Sequence, residues 1–296
     1  MKPITRIEQS LALAISSGEA PGCPPKLAAA ICHAVFPGGA RVRPKLCLAV
    51  AHACGDDDPA LSDAAAVAIE LLHCASLVHD DLPCFDNAPT RRGRASVHWA
   101  FGESLAVLAG DALIVLAFQT LATAAGQSPQ RLAPLLGTLA QGVGMPYGIV
   151  AGQAWESESR VSLIDYQRAK TGALFVAATM GGAQAAGAPA QDWRDMGSWL
   201  GEAYQVADDI RDVVADPKLL GKPVGRDAVL GRPSAAIELG LSGAIEHFHG
   251  LIANVMQCVP ACTGAANLRA LVRAESERLV PLAMQDAVRK VAKSAA

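Results

Sequence analysis

The sequence predicts an all-α fold, and three observations lead to this prediction. Almost every segment of the 296-residue chain repeats apolar side chains at helical spacing. No convincing run alternates polar and apolar residues as a half-buried strand does. Several segments are apolar on most of their sides, which favours a packed bundle with central helices. Because no linker or shift in composition divides the chain, we expect residues 1–296 to form one domain.

Glycine, proline and serine residues divide the first third of the chain into predicted helices. Ile4, Ile7, Leu11 and Ile15 recur on one helical face before Gly18 ends the run. The aspartates of the turn at residues 55–59 are expected to cap the helix that follows them. In this part of the chain we predict helices at Pro3–Ser17, Lys26–Val35, Lys45–Cys54 and Ala60–Asp81.

The rest of the chain contains longer apolar helices and one basic loop. Leu105–Ala125 is apolar enough to cross a membrane, but Asp111 lies near its middle, where a charge at bilayer depth is costly. We therefore predict a buried core helix there and no membrane span. The predicted helices are Ser104–Ala125, Ser128–Glu156, Ser162–Ala186, Trp193–Val214, Ser234–Leu241, Ser242–Gln257 and Ala265–Lys293, with the basic loop between Lys218 and Arg232.

The composition excludes some classes of partner. The chain is 51% hydrophobic and 18% charged, and its net charge of -3 gives no general attraction to nucleic acid or to an anionic membrane. Its eight cysteines include no CxxC pair and no zinc-ligand spacing, so we predict free thiols in a reducing compartment. The N-terminal segment is too weakly hydrophobic for a signal peptide. A cytoplasmic protein with small-molecule partners is therefore expected.

The first acidic cluster, Asp80, Asp81 and Asp86, follows a long apolar run. An uninterrupted helix would turn Asp86 about 240° away from Asp80. Pro83 has no N–H group with which to continue the helix. We infer that the helix breaks at this proline and that the break brings Asp86 back toward Asp80.

The second acidic cluster consists of Asp208, Asp209 and Asp212. Asp208 and Asp212 are four residues apart and share one helix face, whereas Asp209 lies about 100° around the helix from Asp208. Three like charges within this distance repel one another. A bound cation is expected to offset that repulsion.

The two clusters together predict a site for a metal ion and a diphosphate. Ligation by aspartate oxygens alone favours Mg²⁺, with Mn²⁺ as an alternative. Magnesium in proteins usually keeps several waters and is completed by substrate phosphates. Arg91 and Arg92, which follow the first cluster, are suited to binding such an anion. The predicted metal ligands are Asp80, Asp81, Asp86, Asp208, Asp209 and Asp212.

These motifs resemble those of the short-chain trans-prenyl diphosphate synthases of the polyprenyl synthetase family. Asp80 to Asp86 is similar to the first aspartate-rich motif of the family in its bacterial form, and Asp208 to Asp212 is similar to the second. The resemblance extends from about Gly38 to Arg232. It implies a helical bundle of the isoprenoid synthase type with a central cavity, assembled as a homodimer. The implied activity is magnesium-dependent, head-to-tail condensation of isopentenyl diphosphate with an allylic diphosphate.

The resemblance also implies roles for individual side chains. For the allylic diphosphate, the matching residues are Arg91, Lys170 and Thr171. Gln205, three residues before Asp208, and Lys222 and Arg232 in the basic loop match further substrate-binding positions of the family. For isopentenyl diphosphate, they are Arg43, His73 and Arg92. The implied catalytic residues are Asp80, Asp81, Asp86, Lys170 and Asp208.

Two positions depart from the family pattern. Ala40 stands where the family has a lysine that binds isopentenyl diphosphate, and both Arg41 and Lys45 are candidates for replacing that lysine. Asn87 stands where many relatives extend the acidic run. The departures motivate an alternative, a non-catalytic subunit of a heteromeric prenyl synthase. A terpene cyclase or head-to-head condensing enzyme needs no isopentenyl pocket, and is disfavoured by the residues Arg43, His73 and Arg92.

Small side chains below the first acidic cluster bear on the length of the product. Ala75 lies five residues before Asp80, about 7.5 Å down the predicted helix, and Ser76 is its neighbour. In the family, a bulky aromatic residue at the place of Ala75 closes the pocket at fifteen carbons. The small residue predicts geranylgeranyl diphosphate as product, with farnesyl diphosphate as the alternative. Ala75 could also serve only to let helices pack closely.

Overall fold

The computed structural model describes residues 2–19, 21–36, 38–159, 162–214 and 234–281, and these are almost entirely helical. The first half contains α1 (Pro3–Gly18), α2 (Pro25–Val35), α3 (Val42–Ala53), α4 (Pro59–Asp80), α5 (Val97–Phe101), α6 (Glu103–Ala124) and α7 (Pro129–Val143). The second half contains α8 (Ile149–Ala154), α9 (Leu163–Gln167), α10 (Ala173–Ala185), α11 (Arg194–Val214), α12 (Ala235–Glu238), α13 (Gly240–Cys258) and α14 (Ala265–Leu279). Single turns of 3-10 helix lie at Trp155–Ser157 and Gln191–Trp193. The predicted all-α fold is confirmed.

Helix α4 lies at the centre of the bundle, packed against α1, α3, α6 and α10. Asp58 caps its start by accepting a hydrogen bond from the N–H of Leu61 at 3.2 Å. All nine consecutive residues from Ala64 to Leu72 are buried. A surface helix would expose at least one side over such a stretch, so this burial confirms the prediction of a central helix.

Helix α6 is predicted to be a buried core helix, but part of its apolar surface is exposed. Leu113, Leu116 and Leu121 are buried, but Val107, Leu108 and Val115 are 42%, 52% and 56% exposed. By length and composition alone α4 and α6 could both cross a membrane, yet 78% of the apolar window of α4 is buried in the bundle, against 39% for α6. One apolar face of α6 therefore covers the core while the opposite face is left uncovered.

The predicted helix Ser128–Glu156 is interrupted. Helix α7 ends at Val143, and α8 begins at Ile149. Pro146 cannot continue the helical hydrogen bonds, and Gly148 lies so close to the backbone of Val143 that a Cβ atom there would stand 2.4 Å from its carbonyl carbon. The prediction of one continuous helix was wrong because Pro146 and Gly148 form a tight turn between the two helices.

A short hairpin stands where the sequence predicts only a loop. Strands β1 (Thr90–Arg91) and β2 (Arg94–Ala95) pair antiparallel. Arg92 and Gly93 form the two-residue turn between them, with φ values of 53° and 74°. Strands of two residues are too short to show an alternation of polar and apolar side chains, so no such pattern marks them.

Three further predictions concern the cysteines and the C-terminal part. All eight cysteines are free thiols, as predicted. The basic loop with Lys222 and Arg232 lies outside the described residues. Helix α14 ends at Leu279, and the predicted extension to Lys293 falls mostly outside the described residues as well.

Candidate active site

The end of α4 positions the first acidic cluster. The helix stops at Asp80, and the chain turns back so that the N–H of Asp86 donates to the carbonyl of Asp80 at 3.0 Å. The N–H of Ala88 donates to the carbonyl of Asp81 at 3.1 Å and closes a second loop. The predicted break at Pro83 is confirmed, and it brings residue 86 back beside residue 80.

Asp81 is held by the hairpin. Arg91 donates from Nε to both carboxylate oxygens of Asp81, at 2.9 Å and 3.2 Å, and from Nη2 as well. Arg91 also lies 3.7 Å from Asp80 Oδ2. The side chain of Asp81 is 4% exposed and points away from the central cavity. Its carboxylate therefore fixes Arg91 and the hairpin beside the end of α4.

Asp80 faces the cavity and has an incompletely bonded oxygen. Its Oδ1 atom is buried and accepts no hydrogen bond from the described residues, although Lys170 Nζ lies 3.6 Å away. Burial raises the pKa of Asp80, and the nearby carboxylates of Asp86 and Glu156 raise it further, while Lys170 and Arg91 oppose this rise. An added cation at Oδ1 would lower that pKa.

The aspartates of the second cluster lie on helix α11 and have two different surroundings. Asp208 and Asp212 line the same cavity as Asp80 and Asp86. Asp209 is buried on another side, where it accepts from Gln205 Nε2 at 2.9 Å and from the N–H of Ala235 at 2.8 Å. The predicted offset of Asp209 around the helix is observed, and its carboxylate ties α11 to the start of α12.

Lys170 and Thr171 lie in a π-helical turn, Arg168–Gly172, between α9 and α10. Gly152 and Gly201 allow α8 and α11 to pack closely against this turn. A Cβ atom at Gly152 would stand 2.3 Å from the backbone nitrogen of Lys170. Thr171 Oγ1 donates to Gln205 Oε1 at 2.8 Å. The turn thus places Lys170 and Thr171 between the two acidic clusters.

Two residues that the sequence analysis missed, Glu156 and Tyr166, orient Lys170. Glu156 Oε1 accepts from Lys170 Nζ, and it also accepts from the hydroxyl of Tyr166 at 2.6 Å. The ring centroid of Tyr166 lies 5.8 Å from the same ammonium. Like Asp80, Glu156 is an acidic residue after an apolar run, and this shared signal could have identified it.

Arg43, His73 and Arg92 form a further group on the cavity wall, which we call the cationic corner. Arg43 Nη1 lies 3.4 Å from His73 Nε2, and its guanidinium stacks 4.6 Å from the ring centroid of Phe175. Burial and the surrounding arginines lower the pKa of His73 well below its usual range. His73 is therefore neutral, with Nε2 as the acceptor of the Arg43 hydrogen bond. Arg43 Nε is buried and has no partner among the described residues.

Neither candidate for replacing the lysine at position 40 reaches this corner. The side chain of Arg41 is fully buried and bonded to Glu8, Glu70 and the carbonyl of Val35. Lys45 is absent from the described residues that line the cavity, whereas Ala40 is among them. The cationic side chain that lies beside position 40 is that of Arg92, whose guanidinium packs against Gly39.

The clusters and the cationic corner open into one cavity of about 1030 Å³. Below the charged mouth its walls are small or apolar, and they include Leu72, Ala75, Ile114, Val143 and Leu174. The predicted site residues on its wall are Arg43, His73, Ala75, Ser76, Asp80, Asp86, Arg91, Arg92, Lys170, Thr171, Gln205, Asp208 and Asp212. A polar mouth above an apolar shaft can hold a molecule with an anionic head and a hydrocarbon tail.

Comparison with known proteins decides which class of enzyme this site belongs to. The model of the polyprenyl synthetase family matches residues 24–262. The chain belongs to the polyprenyl synthetase family. It is 55% identical over 276 residues to a geranylgeranyl diphosphate synthase of Cereibacter sphaeroides, covering 93% of this chain and 96% of the relative. A geranylgeranyl diphosphate synthase of Rhodobacter capsulatus is 49% identical over 277 residues, covering 94% and 96%.

A solved structure supports the same assignment at the level of the fold. The geranyltransferase of Legionella pneumophila superposes with a TM-score of 0.79 at 27% identity, covering 94% of this chain and 95% of that one. Polyprenyl synthetases condense isopentenyl diphosphate with allylic diphosphates, so the chain is a prenyltransferase. The family, the fold and the reaction type predicted from the motifs are confirmed.

The ion pair between Asp81 and Arg91 gives a test of the scaffold that does not depend on activity. Asp81→Ala leaves the largely buried guanidinium of Arg91 without its main partner, which should lower the free energy of unfolding by about 1–3 kcal/mol. Urea unfolding of the magnesium-free protein at neutral pH measures this change. Asp192→Ala, at an exposed position, is the control. Equal stability of Asp81→Ala and wild type would contradict the role assigned to this pair.

Proposed function

We propose that the chain makes geranylgeranyl diphosphate from isopentenyl diphosphate and an allylic diphosphate, with Mg²⁺ as the metal. The observation that carries this proposal is the shared cavity, whose mouth presents aspartates from α4 and α11 and whose shaft is apolar. The names of the relatives that are 55% and 49% identical support the same product.

The donors at the mouth suit magnesium. Asp80, Asp86, Asp208 and Asp212 offer only carboxylate oxygens to the cavity, and Asp80 Oδ1 has no hydrogen-bond donor among the described residues. Within the described ranges, no three acidic, histidine or cysteine side chains converge tightly enough to enclose an ion by themselves. This geometry suits a metal whose shell is completed by substrate phosphates and water. Mn²⁺ accepts the same ligands.

Lys170, Thr171 and Arg91 are proposed to bind the diphosphate of the allylic substrate. Lys170 lies 3.6 Å from Asp80, so its ammonium already stands where negative charge accumulates as the carbon–oxygen bond breaks. When bound at the aspartates, magnesium supplies further positive charge to the leaving pyrophosphate. The apolar walls below exclude water from the allylic cation that remains.

The cationic corner is proposed to bind isopentenyl diphosphate. Arg43 and Arg92 supply fixed positive charge, and neutral His73 holds Arg43 by accepting its hydrogen bond. The double bond of this substrate attacks the cation, and loss of a proton restores an allylic diphosphate that is five carbons longer. Lys222 and Arg232, outside the described residues, remain predicted substrate-binding residues.

A homodimer is also proposed, and the exposed face of α6 supports it. Val107, Leu108 and Val115 place three apolar side chains on one exposed helical face, where a second copy would remove them from water. The eight free thiols are in keeping with a cytoplasmic location. A non-catalytic subunit would require a catalytic partner, and assay of the purified chain alone distinguishes the two functions.

Removing single aspartates tests the metal site. Asp80→Ala and Asp208→Ala should each lower magnesium-dependent turnover at least roughly 100-fold, because each removes a carboxylate proposed to hold magnesium beside the leaving pyrophosphate. The assay uses the purified chain, labelled farnesyl diphosphate and isopentenyl diphosphate. Asp192→Ala should keep wild-type turnover. Retained activity in either cavity variant, with folding confirmed by circular dichroism, would count against the two-cluster site.

The depth of the shaft is tested at Ala75, which is buried and lies on the cavity wall. Ala75→Phe should shift the product from twenty to fifteen carbons, because the ring fills space that the fourth isoprene unit needs. Chromatography of the dephosphorylated products measures the shift. Ala75→Ser, which adds one atom, should leave the product unchanged. A twenty-carbon product from Ala75→Phe would show that the side chain at position 75 does not limit the length of the product.

The oligomeric state is tested on α6. Leu108→Glu combined with Val115→Glu should convert a dimer to a monomer, because both charges would be buried in the interface. Sedimentation equilibrium at micromolar concentration measures the mass. Leu239→Glu changes an equally exposed leucine on another part of the surface and should leave the dimer intact. A monomeric wild-type protein would contradict the proposal.

A further inference from the structure

Glu70 is a buried acid behind the cationic corner to which the reaction above assigns no role. It lies on α4 three residues before His73, and its side chain is 2% exposed. Its Oε1 atom lies 2.6 Å from Arg41 Nη1 and 3.9 Å from Arg92 Nη2. One carboxylate thus stands between two guanidinium groups, one wholly inside the protein and one on the cavity wall.

Arg41 anchors the loop that leads into α3. Its Nε donates to Glu8 Oε1 on α1 at 2.8 Å, and its Nη2 donates to the carbonyl of Val35 at the end of α2 at 2.8 Å. Its backbone has a φ of 50°, which costs free energy for a residue with a side chain. The bonds to α1, α2 and α4 hold this conformation two residues before Arg43.

The two glycines before Ala40 make room for the two arginines. A Cβ atom at Gly38 would stand 2.3 Å from the guanidinium carbon of Arg41. A Cβ atom at Gly39 would stand 3.0 Å from Nε of Arg92. Gly38 is therefore required by the buried anchor, whereas Gly39 is the surface on which the guanidinium of Arg92 rests.

Arg92 occupies a fixed place next to Ala40. Its backbone φ of 53° in the hairpin turn directs the side chain over Gly39, and Glu70 attracts its guanidinium from the interior side. A mobile arginine would lose side-chain entropy on binding an anion, whereas one already held loses less. With alanine at position 40, the orientation of Arg92 matters more than it would beside a lysine.

We propose that Glu70 is a positioning residue for the isopentenyl diphosphate site, which it organises by orienting Arg92 directly and Arg43 through the Arg41 anchor. Glu70 does not touch substrate. This inference rests on the proposed function, because it takes the cationic corner to be the isopentenyl site. It assigns no role to Glu70 at the proposed allylic site, because among the described residues Glu70 pairs with Arg41 and Arg92 and not with Arg91 or Lys170.

Steady-state kinetics with each substrate varied in turn tests the proposal. Glu70→Gln keeps the shape of the side chain and removes its charge, and should raise the KM for isopentenyl diphosphate about tenfold, the scale of one weakened charge-assisted contact. The KM for the allylic diphosphate should stay within twofold of wild type. Gly39→Ala displaces Arg92 without changing any charge and should give the same split, which shows that this KM reports the position of Arg92. Glu70→Asp keeps the charge but shortens the reach to Arg92; it should raise the same KM and carries the test if Glu70→Gln fails to fold.

Glu8→Gln is the matched control. It weakens the Arg41 anchor but leaves the pair of Glu70 and Arg92 in place, so it should raise the KM for isopentenyl diphosphate less than Glu70→Gln does and keep the KM for the allylic diphosphate within twofold of wild type. An unchanged KM for isopentenyl diphosphate in Glu70→Gln would overturn the proposal even if Gly39→Ala raises it, as would equal rises in the two KM values. Absence of turnover in the wild-type chain would instead reject the proposed function.

Discussion

Ion pairs hold the two aspartates at the end of α4, and separate segments of the chain supply their cationic partners. Helix α4 buries nine consecutive residues and then ends in Asp80 and Asp81, where burial would otherwise favour the uncharged acids. Arg91 from the hairpin and Lys170 from the π-helical turn approach from two separate segments. These contacts give a bundle of mostly apolar helices one defined, charged opening.

Neighbouring aspartates in each motif serve different purposes because successive helical residues point about 100° apart. Asp80 and Asp208 face the cavity, where their charge is available to a ligand. Asp81 and Asp209 turn into the protein, where Arg91, Gln205 and the start of α12 use all of their accepting oxygens. Each pair of neighbouring aspartates therefore places one carboxylate at the cavity and one inside the protein, where it holds the scaffold together, and loss of either member affects the site through a different physical route.

The elements that could be predicted from sequence are those with a local cause. Pro83 lacks an N–H group, so the break after Asp80 follows from one residue. Pro146 and Gly148 are an equally local cause for the interruption between α7 and α8, and the helical periodicity on either side of them masked it. The hairpin at residues 90–95 is different, because its two-residue strands carry no local pattern. The same holds for Arg41, since only tertiary structure shows that its guanidinium is buried rather than free to replace a lysine.

Two diphosphates of similar charge must be kept apart in one cavity, and the surroundings of each place provide the distinction. In the proposed assignment, the allylic diphosphate, which has to leave, lies among the aspartates that would hold metal ions and beside a lysine that would stabilise the departing charge. Isopentenyl diphosphate keeps its phosphates and is assigned to Arg43, His73 and Arg92, two cations and a neutral imidazole. Nε of Arg43 is buried and has no partner among the described residues, which favours an anion there. In this assignment, the substrate that must ionise is therefore separated from the one that must not by whether aspartates or arginines surround its diphosphate.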